Sequence, residues 1–129
     1  MSDVEFSTVA NGDMTIEVAT AGSGPAIVFV HGWPESWYSW RHQIDHLAGR
    51  GYTAVAINVR GYGNSSNPTE IERYTLRELA GDVAAVIDTV ADGPAVVVGH
   101  DWGAPIASNA ARLHPDHVRA VVNLSVPYI

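Results

Sequence analysis

The 129-residue sequence contains no cysteine, few basic side chains and no long apolar run. The absence of cysteine excludes disulfides, thiolate metal sites and a cysteine nucleophile. Seven basic residues against fourteen acidic ones give a net charge of −7, which disfavours nucleic acid and anionic membrane as partners. Wholly apolar runs, such as residues 26–30 and 95–98, are too short to span a bilayer. The acidic start of the chain lacks the apolar segment of a secretory signal, so we expect a cytoplasmic protein.

Hydrophobic patterning predicts strands and helices that alternate along the chain. Alternating apolar and polar residues indicate a β-hairpin over residues 3–19, with its turn at residues 11–13. Short apolar runs then predict buried strands, and helical spacing predicts helices between them, the first capped by Ser36. The predicted strands cover residues 26–30, 53–57, 95–98 and 118–124, and the predicted helices cover residues 37–48, 76–90 and 103–113.

This order of elements is typical of an α/β fold. A hairpin followed by alternating strands and helices predicts a sheet that is parallel after its first strands, with helices on both faces. The last predicted strand would leave an unpaired apolar edge, which open α/β sheets avoid. We therefore interpret residues 1–129 as the N-terminal part of a single, larger core domain.

The pattern Gly-x-Asp-x-Gly, from Gly99 to Gly103, lies between a buried strand and a helix rich in small residues. The two glycines permit a sharp turn that would lift the Asp101 side chain above the sheet. A carboxylate in that position can attack a saturated carbon and form an alkyl-enzyme ester. The alternative interpretation is an N-cap aspartate before an ordinary helix.

A second motif, His31-Gly32-Trp33-Pro34-Glu35, follows the first buried strand and faces the same edge of the sheet as Asp101. We assign the backbone amides of Trp33 and Trp102 as donors to the oxygen of the Asp101 ester when its carbon becomes tetrahedral. A simpler interpretation of both tryptophan side chains is core packing, which can hold together with this role because the role uses the backbone. The Trp33–Pro34 peptide bond is expected to be cis, because cis-proline clusters in tight functional turns.

Other motifs give weaker or negative signals. His31 and His100 flank the two motifs and are expected to hydrogen-bond backbone groups beside the site. The glycines of the segment 60–65 indicate a loop with positive φ angles rather than a dinucleotide fingerprint, since the third glycine is missing. No pair of histidines forms a credible metal site, and no cofactor is predicted. None of the six histidines is a good catalytic base, which is expected beyond residue 129.

The motifs HGWPESWYSWRHQ, RGYGNSS and GHDWGAP, in this order, resemble the α/β-hydrolase superfamily and the soluble epoxide hydrolases in particular. The resemblance covers residues 26–128 and implies that Asp101 is a nucleophile that opens an epoxide. It also implies a histidine–acid pair and two tyrosines of a helical cap domain, which match nothing in this chain. Relatives often carry Asp in place of Asn58, and its absence is expected to remove a charge partner of Arg60.

The leading hypothesis is therefore hydrolysis of an epoxide by water to a vicinal diol, by an enzyme of which this chain is one part. A dehalogenase uses the same aspartate motif, with the Trp102 indole as a halide donor. A hypothesis of another class is a non-catalytic fragment that pairs with a complementing C-terminal chain. A receptor that only binds small molecules is a further alternative.

Overall fold

A computed structural model describes residues 3–126. This part of the chain contains a six-stranded mixed sheet, three α-helices and two 3-10 helices. The strands are β1 (Glu5–Asn11), β2 (Met14–Ala21), β3 (Ala26–Val30), β4 (Thr53–Ile57), β5 (Ala95–His100) and β6 (Val118–Leu124). The α-helices are α1 (Arg41–Ala48), α2 (Leu76–Val90) and α3 (Gly103–Leu113), and the 3-10 helices are Trp37–Trp40 and Ile71–Tyr74. No helix among these residues is long and apolar enough to cross a membrane.

The sheet has the strand order β1-β2-β4-β3-β5-β6. The hairpin strands β1 and β2 are antiparallel, and β2 pairs antiparallel with β4. All later pairs are parallel. The predicted α/β order is therefore confirmed. The hairpin differs in one detail: Asn11 pairs with Met14, so the ladder continues to a turn with φ +61° at Gly12.

Two apolar cores lie on opposite faces of the sheet, as the alternation of elements predicts. The larger core packs β-strand residues such as Val28 and Val97 against α2 and α3. The smaller one packs Phe29 and Trp40 beside α1. The first predicted helix begins as a 3-10 helix, in which the Ser36 hydroxyl accepts a hydrogen bond from the Tyr38 amide, and continues as α1.

Strand β6 forms one end of the sheet within residues 3–126. Its neighbour on one side is β5, and no described strand pairs with its outer edge. Val122 and Leu124 expose 44% and 43% of their surface, although they belong to a strand in a largely buried sheet. The edge and this face of β6 are therefore apolar and uncovered by the described part of the chain.

Candidate active site

Asp101 lies in the sharp turn between β5 and α3, with φ +57°, a conformation that non-glycine residues rarely adopt. A Cβ at Gly99 would lie 2.4 Å from the Gly103 carbonyl oxygen, and a Cβ at Gly103 would lie 2.1 Å from the Val30 carbonyl oxygen. Only glycine permits so close an approach of strand, turn and helix. The turn places Asp101 at the carboxyl end of the parallel strands.

Two backbone amides donate hydrogen bonds to the Asp101 carboxylate. The Trp33 amide donates a hydrogen bond of 3.2 Å to Asp101 Oδ2. Hydrogen bonds from the amides of Trp102 and Trp33 hold the pKa of the Asp101 carboxyl below its ordinary value, because they stabilise the ionised form. Gly32 makes this approach possible, since a Cβ there would lie 2.4 Å from Asp101 Cβ. The loop after β3 and the turn after β5 therefore meet at one carboxylate.

Glu35 fixes the loop that carries the Trp33 amide. Its Oε1 accepts a hydrogen bond of 2.9 Å from the Gly32 amide, and its own amide donates to the Gly32 carbonyl oxygen at 3.2 Å. Nδ1 of His100 lies 3.6 Å from the same carboxylate oxygen. Within residues 3–126, the polar partner of the His100 ring is thus a carboxylate, and its expected hydrogen bond to backbone stays a prediction.

His31 is buried and makes the expected backbone hydrogen bonds. Its Nδ1 lies 2.8 Å from the Gly32 carbonyl oxygen, and its Nε2 accepts a hydrogen bond of 3.0 Å from the Val59 amide. These partners require a neutral ring with the proton on Nδ1. Burial also lowers the pKa of His31. The ring therefore links two loops and has no nitrogen left for proton transfer.

A neutral His31 makes stability depend on pH. Below its ordinary pKa of about 6.5, the unfolded chain takes up a proton that the folded state rejects, so the free energy of unfolding falls as the pH falls. We expect His31 to lower the free energy of unfolding by up to about 1.4 kcal/mol for each unit that the pH falls between 6.5 and 5. Urea unfolding at pH 7 and pH 5 measures this difference.

Two variants isolate the contribution of His31. The difference in the free energy of unfolding between pH 7 and pH 5 should shrink in His31→Gln. It should remain in the control His42→Gln, which replaces an exposed histidine of α1. An unchanged difference between the two pH values in His31→Gln would contradict the neutral assignment.

The side chains of Trp33 and Trp102 do not pack in the core of the described chain. Each exposes 65% of its surface. The core-packing interpretation of these tryptophans is therefore wrong, since their backbones approach Asp101 while their indoles point outward. The Trp33–Pro34 bond is cis, as predicted, and Pro34 is exposed.

A pocket of about 350 Å³ borders the groups that hold the Asp101 carboxylate. Tyr62 lies in its wall, and its ring packs edge-on against His31 with centroids 4.9 Å apart. Burial raises the pKa of the Tyr62 hydroxyl, and the negative charge of Asp101 adds to the effect. The lining residues are His31, Gly32, Trp33, Val59, Arg60, Tyr62, Tyr74, Leu76, Leu79, Trp102 and Ile106.

Arg60 has a different partner from the one expected. Its guanidinium forms a two-pronged, buried ion pair with Asp82 of α2, with distances of 2.9 Å and 2.6 Å. Asn58 instead accepts from the Trp37 amide and donates to Glu17. The expectation that Asn58 costs Arg60 its charge partner is therefore wrong, because the tertiary packing of α2 supplies the charge.

Comparison with known proteins places this geometry in a family. The family model described as alpha/beta hydrolase fold matches residues 25–128. The chain belongs to the α/β-hydrolase fold family. The fold shared with this family explains why the loops after β3, β4 and β5 converge at one edge of the sheet.

Similar members of the α/β-hydrolase fold family carry the name epoxide hydrolase. Epoxide hydrolase B of Mycobacterium tuberculosis is 56% identical over 105 residues, which cover 81% of this chain and 30% of that protein. Epoxide hydrolase 2 of Siraitia grosvenorii is 41% identical over 129 residues, covering 100% of this chain and 41% of that protein. An epoxide hydrolase from an endophytic Streptomyces has a TM-score of 0.94 at 47% identity, covering 98% of this chain and 38% of that one. The chain thus spans well under half the length of these relatives.

Some groups of this α/β-hydrolase site are not predicted by sequence reasoning. The motif after β3 gives no role to Glu35, and the helical spacing over residues 76–90 gives none to Asp82. The signal for Asp82 is an acidic residue inside the apolar stripe of α2, beside Val83 and Val86. Within residues 3–126, no group of three His, Cys, Asp or Glu side chains is placed to hold a metal ion.

Proposed function

We propose that this chain is the nucleophile-bearing part of an epoxide hydrolase. The observation that carries the proposal is the Asp101 carboxylate, held ionised in a strained turn with the Trp33 amide 3.2 Å from its Oδ2. The names of the similar proteins support an epoxide as the substrate and water as the second reactant. The pocket beside Asp101 supplies room for a small molecule.

The proposed reaction has two steps. An Asp101 oxygen attacks an epoxide carbon, so that an ester bond forms while the epoxide C–O bond breaks and its oxygen takes a proton from a donor. Water then attacks the ester carbonyl carbon and gives its proton to a base. The resulting oxyanion accepts hydrogen bonds from the amides of Trp33 and Trp102. Collapse of this intermediate breaks the ester C–O bond, and the leaving oxygen takes the remaining proton of the attacking water, which completes the vicinal diol and restores the carboxylate. The proton held by the base returns to the donor of the first step.

We place the base and the proton donors outside residues 3–126. Both ring nitrogens of His31 are engaged with backbone groups. In this fold the nucleophile precedes the acid and the histidine in chain order, which puts the base beyond residue 129. We therefore propose that residues 1–129 are the N-terminal part of one core domain. The uncovered edge of β6 supports a complementing C-terminal polypeptide as its partner.

Treatment with styrene oxide, followed by intact mass measurement and peptide mapping, tests this proposal. We expect one adduct per chain, located on the peptide that contains Asp101, without steady-state release of diol. Addition of the complementing C-terminal part of a similar epoxide hydrolase should convert this single event into turnover. A denaturing mass spectrum of the purified material shows whether such a polypeptide is already present.

Two results would argue for other functions. Halide release from a haloalkane, without any adduct from styrene oxide, would favour a dehalogenase. Tight binding of small molecules without any covalent adduct would favour a receptor.

A further inference from the structure

We infer that Asn11 is a site of spontaneous modification, at which its side-chain amide becomes a carboxylate and weakens the buried ion pair of Arg60 and Asp82. Among the asparagines of the sequence, Asn11 alone is followed by glycine. The others precede valine, serine, proline, alanine or leucine. The inference concerns the hairpin and α2, and it does not depend on the chemistry proposed for Asp101.

The modification is a ring closure between Asn11 and the backbone of Gly12. The Gly12 amide nitrogen attacks Cγ of Asn11, so that a new N–C bond forms while the bond from Cγ to Nδ2 breaks. Nδ2 leaves as ammonia and takes the proton of the Gly12 amide with it. Water then opens the cyclic imide and leaves a carboxylate at position 11, on a normal or a β-linked backbone. Glycine favours this attack because it has no Cβ beside the attacking nitrogen.

The turn between β1 and β2 leaves Gly12 open to solvent. Gly12 is exposed, with φ +61°, and a Cβ built on it would meet no atom within 4 Å. Asn11 is the last residue of β1 and pairs with Met14 across the turn. The water and the base that the reaction needs therefore reach the Gly12 amide without any opening of the sheet.

The side chain of Asn11 connects this turn to a buried charge. Its Nδ2 donates a hydrogen bond of 2.8 Å to Asp82 Oδ1, and the same oxygen accepts from the Arg60 guanidinium at 2.6 Å. Deamidation would remove the donor and place a second carboxylate against Asp82, which is 2% exposed. Two acceptors of like charge repel each other in such surroundings, because little water screens them.

The effect extends to the segment before α2. Arg60 also donates to the Arg73 carbonyl oxygen at 2.7 Å, so the ion pair holds the 3-10 helix Ile71–Tyr74 in place. A carboxylate at position 11 would therefore weaken the contact of the hairpin with α2 and the attachment of this 3-10 helix. Deamidation of Asn11 is thus expected to lower the stability of the folded chain.

Peptide mapping of the whole folded chain, incubated at pH 8, tests the site itself. The peptide with Asn11 should deamidate at least about tenfold faster than the peptides with the other asparagines, because only Asn11 precedes glycine. Its rate should rise with pH, since the Gly12 amide must lose its proton. Asn67 is the internal control, because Pro68 has no amide proton and cannot close the ring.

A matched pair of variants tests the connection to the ion pair. Asn11→Asp imitates the normal-backbone product, and its urea midpoint should fall by at least about 0.5 M. Asn67→Asp adds the same charge at an exposed position, where an Asp oxygen can still accept the hydrogen bond of the Tyr74 hydroxyl. Its urea midpoint should stay within about 0.2 M of the original.

Each measurement can reject the inference. Deamidation at Asn11 that is no faster than at the other asparagines would remove the site. Equal urea midpoints of Asn11→Asp and Asn67→Asp would remove its connection to Arg60 and Asp82. Neither measurement involves an epoxide, so a failure of styrene oxide to modify Asp101 would leave both outcomes unchanged.

Discussion

Replacement of Asp101 by asparagine is expected to abolish the covalent adduct with styrene oxide. An amide is a far weaker nucleophile than a carboxylate, so the rate of adduct formation at position 101 should fall at least about a hundredfold. The turn itself should persist, because the asparagine carbonyl oxygen can still accept the hydrogen bond that the Trp33 amide donates to Oδ2. Intact mass measured over time, with peptide mapping, gives the rate of adduct formation in the original chain and in Asp101→Asn.

The control for this experiment is Asp92→Asn. Asp92 is exposed and precedes β5, so it lies at the opposite end of the strand that Asp101 follows. The adduct should form in this variant at the original rate. Adduct formation at an equal rate in Asp101→Asn would reject Asp101 as the nucleophile, whatever the sequence motif suggests.

The pH dependence of adduct formation gives an independent check on the same carboxylate. Hydrogen bonds from the Trp102 and Trp33 amides lower the pKa of Asp101, so it stays ionised below the usual value of about 3.9. The rate should therefore stay level from pH 7 to about pH 4 and fall only in more acidic solution. A rate of adduct formation that declines already near pH 6 would contradict the lowered pKa of Asp101.

The sequence predicts the fold well because its signals are local. Apolar runs and helical spacing mark the strands and helices, and the glycines beside Asp101 mark a turn that only small residues allow. The sequence also predicts that the loops after two parallel strands meet at the carboxylate. That prediction needs only the rule that carboxyl ends of parallel strands share one edge.

Partners of long polar side chains are harder to predict, because tertiary packing selects them. Arg60 and Asp82 are 22 positions apart, and the sequence offers several other acids near the loop. His100, at the end of β5, lies beside Glu35 of the loop after β3. The walls of the pocket beside Asp101 depend on where the start of α2 lies relative to the loop after β4. Sequence periodicity carries no information on that placement.

The buried ion pair leads to the second large prediction. Arg60 and Asp82 are 3% and 2% exposed, and Asn11 donates a further hydrogen bond of 2.8 Å to Asp82. Asp82→Ala would leave the guanidinium buried without its counter-charge, which typically costs about 3–5 kcal/mol. Because domains of this kind are stable by only about 5–15 kcal/mol, we expect a large fall in the urea midpoint.

Two further variants test whether the stability lost in Asp82→Ala comes from burying an unpaired charge or from losing an ion pair of any kind. Asp13→Ala removes the exposed partner of Arg73, and such surface pairs contribute little to stability because water and salt screen them. The double variant Arg60→Met/Asp82→Leu removes both buried charges and should recover most of the stability lost in Asp82→Ala. A loss in Asp82→Ala as small as that in Asp13→Ala would mean that water reaches the Arg60 guanidinium. The conformation of the loop after β4 would then depend on contacts other than this ion pair.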